Sequence, residues 1–196
     1  MIPVLAAFLW LLAAPFWESQ PPAQWTDVQL EDFLTDSPWA QTAPGPGVSA
    51  LPVSVRLATA APIEQAEKEQ ARRAALRRKQ PDDPGAAEYR LWLEDNRATQ
   101  IVLAIHMTTN QGLLDDREVR RMEDESVMKA SKRKLKMSGH FPPSESDPYL
   151  RMAFPREVQL SDKTLTFDLY LPGVSAPYRT VEFKLKDMVV AGKLEL

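Results

Sequence analysis

VEFKLKDMVVAGKLEL, residues 181–196, opens with Val181, Phe183 and Leu185 alternating with Glu182, Lys184 and Lys186. Period two is the repeat of a β-strand, whose successive side chains point to opposite faces. One apolar and one charged face predict a strand lying half on a core and half in water. Upstream, Leu165, Phe167, Leu169 and Leu171 alternate with Thr164, Thr166, Asp168 and Tyr170 in the same way. The Pro172–Pro177 stretch between them is a turn sequence, so the two ribbons are expected as antiparallel neighbours. Within the last stretch the apolar phase slips, from odd positions (Val181, Phe183, Leu185) to even ones (Met188, Val190, Leu194, Leu196). A one-residue slip turns side chains to the other face. A bulge or bend near Asp187–Met188, or a separate short strand after Gly192, is therefore expected.

Other segments supply what this layer packs against. Val53, Val55 and Leu57 alternate as a first strand, and Ile101–Met107 (IVLAIHM) is apolar at nearly every position. Such a run suits a central strand covered on both faces. Leu150, Met152 and Phe154 face away from Tyr149, Arg151 and Ala153 in a further strand closed by Pro155. Trp25–Leu34 predicts a short helix capped by Thr26 or Asp27 and stopped at Ser37–Pro38. EQAEKEQARRAALRRK, residues 64–79, is a strong helix former with acids leading and bases trailing. A second helix is expected near 115–128, with Val119, Met122, Val127 and Met128 on its apolar side. Pro44–Gly47 and Pro81–Gly85 read as a loop and a turn, Ala86–Glu94 as one or two helical turns, and His140–Pro148 as an extended connection. Together these patterns predict one α+β domain over residues 24–196. Its sheet is mainly antiparallel, with about five or six strands, and helices near 63–79 and 115–128 cover one face.

Residues 1–23 are read apart from that domain. MIPVLAAFLWLLAAPFW, residues 1–17, is almost wholly apolar and gives way to Glu18-Ser19-Gln20-Pro21-Pro22. It is as long as the core of a signal peptide and short for a membrane span. The expectation is an exported chain, periplasmic or secreted, with residues 1–17 holding it to a membrane if the leader is not cut. The 196 residues carry no cysteine, which excludes disulfides, thiolate catalysis and cysteine zinc sites. Lys and Arg number 24 against 27 Asp and Glu, a net charge of −3, and no nucleic-acid partner is expected.

No constellation of catalytic, cofactor-binding or metal-ligating residues stands out, and none is assigned. The chain has no G-x-S-x-G, no phosphate-cradling glycine loop and no His-Glu-x-x-His. His106 is expected to be a buried strand histidine, and His140 an exposed one in a proline segment. Asp115-Asp116 and Glu123-Asp124-Glu125 offer oxygen ligands but lack the glycine of a calcium loop, so Asp115 and Asp116 are read as a helix start. Trp25 and Trp39, with Phe33 between them, form either an exposed stacking surface or a buried staple, and the staple is expected. Arg72, Arg73, Arg77, Arg78 and Lys79 read as a solvated helix end. Lys129–Lys136 reads as a solvated helix end or an edge strand that discourages aggregation, with anion binding as the other reading.

Leu34-Thr35-Asp36-Ser37-Pro38-Trp39-Ala40, Phe183–Met188 (FKLKDM) and Gly192–Leu196 (GKLEL), together with the apolar leader, resemble a family of exported bacterial proteins of unknown function. The resemblance implies export and one compact domain, and it carries no activity. The functional expectation is accordingly a non-enzymatic module of the cell envelope that binds an envelope protein or a surface. The alternative is a carboxylate-dependent hydrolase or carbohydrate-binding domain, which requires Trp25 or Trp39 to be exposed beside two acids.

Overall fold

A computed structural model describes residues 15–45, 47, 50–78, 84–144, 147–159 and 161–196. Most of the apolar leader, residues 1–14, lies outside them, as do Pro46 of the predicted loop, Lys79 and the turn residues Pro81–Asp83. The strands are β1 (Ala40–Ala43), β2 (Val53–Leu57), β3 (Gln100–His106), β4 (Val127–Ala130), β5 (Arg133–Lys136) and β6 (Gly139–Phe141). They continue with β7 (Tyr149–Pro155), β8 (Thr164–Tyr170), β9 (Tyr178–Lys184), β10 (Val189–Val190) and β11 (Lys193–Leu194). The helices are α1 (Phe16–Ser19), α2 (Asp27–Thr35), α3 (Ala61–Arg78), α4 (Pro84–Asn96) and α5 (Asp116–Glu125). Every strand pairing is antiparallel, and the α+β class follows directly.

The strands divide into a five-stranded sheet, β1-β2-β3-β7-β6, a four-stranded sheet, β5-β4-β8-β9, and the β10–β11 ribbon. The two larger sheets stack face to face. Ile101, Leu103 and Ile105 of β3 and Leu150, Met152 and Phe154 of β7 meet Leu165, Phe167 and Leu169 of β8 and Val181 and Phe183 of β9, all buried in one cluster. Phe154 meets Phe167 at 5.3 Å between ring centroids, and Phe167 meets Phe183 at 5.9 Å, both edge to face. On one side the sheets are joined covalently, because β5 runs into β6 through Met137 and Ser138 alone. The Ser138 N–H donates to the Ala153 carbonyl at 2.8 Å as the chain changes sheets. On the other side β1 lies against β9.

The outer face of the five-stranded sheet needs its own cover. Tyr89 and Leu93 of α4 lie on Val102, Ala104 and Ala153. That explains why β3 is apolar at almost every position. α4 is longer than the one or two turns predicted, and it makes the even residues of β3 a second small core.

One local feature departs from the sequence reading, a second resolves as expected, and a third was not foreseen. The helix expected to 128 stops at Glu125, because Ser126 is extended (ψ 127°) and its buried hydroxyl accepts the Tyr170 N–H at 3.1 Å. The released Val127 and Met128 then form β4, which pairs with both β5 and β8. Strands read as one layer are thereby shared between two facing sheets, and the two helices expected on one face are parted: α3 packs on α2 and pairs Glu67 with Arg56 of the five-stranded sheet, whereas α5 lies on β8 of the four-stranded one. The phase slip near the end resolves as a 3-10 turn at Leu185–Asp187, followed by the short strand after Gly192. Ala191 and Gly192 (φ 49° and 80°) make the tight turn between β10 and β11. Finally, the 3-10 turn Gln111–Leu114 touches the β8–β9 turn so closely that a Cβ on Gly112 would come within 2.3 Å of Pro172–Gly173 backbone atoms.

Phe167 joins both aromatic contacts of the core. Truncating it to alanine leaves a cavity that the stacked sheets cannot close, and such changes cost about 3–5 kcal/mol. Urea unfolding of Phe167→Ala should show a midpoint lowered accordingly, with Leu76→Ala, at an exposed position, close to the parent protein.

Candidate functional site

Three polar assemblies compete for the role of a site. The first lies on the outer face of the five-stranded sheet, where Arg56, Ala104 and Arg151 stand side by side in register across β2, β3 and β7. Both arginines are buried. The small side chain of Ala104 gives them room, and each guanidinium lies over a tyrosine ring: Arg56 over Tyr149 at 4.0 Å, Arg151 over Tyr89 at 4.4 Å. Each is also ion-paired, Arg56 to Glu67 of α3 at 2.7 Å and Arg151 to Asp147 at 2.6 Å. A buried guanidinium with its carboxylate in place is neutral as a pair. An incoming anion would have to displace Glu67 or Asp147, so this assembly fastens α3 and the Asp147 loop to the sheet. Two atoms in it, Tyr89 Oη and Arg151 Nε, are buried without a hydrogen-bond partner among the described residues. Burial pushes the Tyr89 phenol well above its ordinary pKa.

The second assembly is on α5. Tyr170 donates to Glu118 at 2.6 Å and Tyr178 to Glu125 at 2.5 Å, while Arg121 donates to both phenol oxygens and to Glu125. The Tyr178 hydroxyl, and then Arg121, hold Glu125 below the usual carboxylate range, and Glu118 pushes the Tyr170 phenol up. A general acid needs a carboxyl kept protonated near neutral pH, and Glu125 is driven the other way. Both carboxylates are spent on tyrosines.

The residues singled out in the sequence are scattered. His106, expected to be buried, is exposed at the last position of β3, with its ring 5.4 Å from Tyr149. The end of the strand runs past the cover of α4. His140, expected to be exposed, is half-buried on β6, with Nδ1 3.3 Å from Glu123 of α5. Asp115 caps α5 by accepting the Arg117 N–H. Asp124 is 3.8 Å from Lys136, so the acidic cluster is split among different partners. Among the described residues no group of histidines and acids is gathered as a metal site. Trp25 and Trp39 are both buried, as the staple reading expects.

The third assembly is at the end of the sandwich where the chain leaves its leader. Phe16 packs edge-on against Trp25 at 5.1 Å, Trp17 lies 5.6 Å from Phe33, and Phe33 touches both Trp25 (4.9 Å) and Trp39 (5.9 Å). Trp25 Nε1 donates to the Gln20 carbonyl and Trp39 Nε1 to the Glu195 carbonyl, both at 2.8 Å. Arg73 clamps the same segment, donating to the Pro22 and Trp25 carbonyls and to Asp27 and Glu69. The helix end that looked solvated is thus partly a fastening. A groove of about 420 Å³ opens beside it, walled by Trp17, Glu18, Trp25, Pro62, Val190 and Glu195. The β4–β5 turn, the start of β8 and the end of β9 reach this end of the molecule and carry Lys132, Lys163, Lys184 and Lys186, all exposed. Only Lys132 belongs to the basic run visible in sequence. The others join it through strand pairing, and the wet-face position of Lys184 was the available signal. This end, with a groove, aromatic rings and free cations, is the candidate binding site. No protein-family model, no curated protein and no solved structure matches the chain.

Two outcomes follow. Removing the orphan hydroxyl with Tyr89→Phe should leave stability unchanged or raise it by about 1 kcal/mol, measured by urea unfolding. Hydrogen bonds from Arg72 and then Arg73 lower the Glu69 carboxyl from 4.5 to about 2. A depressed folded-state pKa contributes stability that is complete above pH 4.5 and is lost as pH falls toward 2. Thermal melts across that interval should fall less steeply for Glu69→Gln than for the parent.

Proposed function

We propose that the chain is an exported, non-enzymatic binding module of the cell envelope that works with residues 15–24 in place on its body. One observation carries this reading. Phe16 and Trp17, the last two residues of the apolar leader, belong to the aromatic cluster formed with Trp25, Phe33 and Trp39. A flexible spacer between leader and domain would leave them in water. A cut after Ala23 would strip both rings and the Gln20 carbonyl from Trp25. The reading therefore has the leader kept as a tether or cut ahead of Phe16, with the candidate site presented close to a membrane. Among the described residues no helix is long and apolar enough to cross a bilayer.

On α5 Glu118 and Glu125 are held by tyrosines and on the five-stranded sheet both arginines are ion-paired, which leaves the groove and its neighbouring lysines as the place this reading gives a ligand. A carbohydrate platform would need Trp25 or Trp39 on the surface, and both are buried.

Expressed with its leader in a bacterial host and fractionated, the protein should appear in the envelope fraction, and its intact mass should place the N-terminus at or before Phe16. A chain beginning at Gln24 should lose about 2–4 kcal/mol from the missing aromatic burial. A natural product that starts at Gln24 and unfolds at the same urea concentration as the longer chain would overturn the proposal.

A further inference from the structure

The four-stranded sheet is charged unequally at its two ends. At one end α5 and its cap bring Asp115, Asp116, Glu118, Glu123, Asp124 and Glu125 against three arginines, Arg117, Arg120 and Arg121. At the other end stand Lys132, Lys163, Lys184 and Lys186. Their proximity follows from the pairing. Ala130 opposes Leu165, Thr164 opposes Lys184, and the Leu185 N–H donates to the Lys163 carbonyl at 3.0 Å. All four are exposed, and none forms an ion pair among the described residues. The carboxylate nearest the turn, Asp162, is buried and taken by Ser131 and Arg133. Glu157, Glu182 and Asp187 are the exposed acids beside these four lysines, and Glu18 lines the neighbouring groove. At about 3.3 Å per residue the seven-residue strands hold the two charged ends roughly 20 Å apart.

Protection of sheet edges accounts for only part of this. Lysines on the edge strands β5 and β9 discourage pairing with other chains, and Lys134 and Lys184 sit there. Lys132, Lys163 and Lys186 lie in turns beyond the ladders, where there is no edge to protect. The same end receives the leader: β9 continues through the 3-10 turn into β10, whose Val190 walls the groove with Trp17.

We propose that this lysine end docks on the headgroups of anionic phospholipids, with Lys132, Lys163, Lys184 and Lys186 against their phosphates. The proposal rests on the tethered reading in one respect, that the leader delivers this end to a bilayer. A lipid surface fits better than nucleic acid, because Trp17 and Val190 wall a groove at this same end, where the chain emerges from its apolar leader.

The test sediments the full chain with vesicles of phosphatidylcholine alone and with phosphatidylglycerol added, beside a K132Q/K163Q/K184Q/K186Q variant. Each lysine near an anionic surface is worth about fivefold. The parent should therefore bind the anionic vesicles at least tenfold more tightly, and raised salt should erase that preference. The variant, checked by its urea midpoint for an intact fold, should bind both vesicles alike. Equal preference of parent and variant for the anionic vesicles would overturn the proposal, as would tighter binding of the parent to duplex DNA. Failure of the tether shows differently, as lysine-dependent binding to anionic vesicles with no binding to the neutral ones.

Discussion

The edge-to-face contact of Phe154 with Phe167 is where one sheet meets the other, and the remaining architecture answers to it. Two antiparallel sheets can share one core only if their inner faces are apolar throughout and interdigitate. That requirement sets the parity of β3, β7, β8 and β9. It also leaves two outer faces to be dealt with separately. The five-stranded sheet, apolar on the outer positions of β3 as well, takes α4 as a cover. The four-stranded sheet carries threonine, aspartate and lysine outward and is capped only at one end, by α5.

Charge is handled by the same economy of space. Where arginine must stand on a covered face, as at positions 56 and 151, a carboxylate and a tyrosine ring accompany it, because an unaccompanied buried cation is costly. Arg179 is the exception in kind. It is almost fully buried, and backbone carbonyls of Leu51, Ser175, Ala176 and Tyr178 receive its N–H groups instead of a carboxylate. Burial lowers its pKa. Lys132, Lys163, Lys184 and Lys186, exposed and without an ion pair among the described residues, take no part in this fastening.

Much of this was legible in residue order. The alternations at 164–171 and 181–185, the doubly covered run at 101–107 and the acid-to-base gradient of α3 are local signals, and local signals survive without knowledge of the fold. The division into two sheets was not legible, because it depends on Ser126 giving its hydroxyl to a strand 44 residues away. The exposure of His106 depends on where α4 stops covering β3, which no periodicity records. The candidate site fared similarly: Lys129–Lys136 announced itself, whereas Lys163 and Lys186 gain meaning only once β8 and β9 are paired. Phe16 and Trp17 were hidden for another reason, since an apolar leader masks the apolar residues that belong to the body behind it.

The passage of β5 into β6 has a mechanical consequence. A sandwich whose layers share a continuous backbone on one flank cannot shear or separate there without breaking ladders in both. Breathing must therefore begin on the opposite flank, where β1 rests on β9 and the described residues show no strand ladder joining them. Arg179, reaching from β9 to the Leu51 carbonyl beyond β1, is the latch on that flank. The route by which water first enters this core thus runs past a single guanidinium.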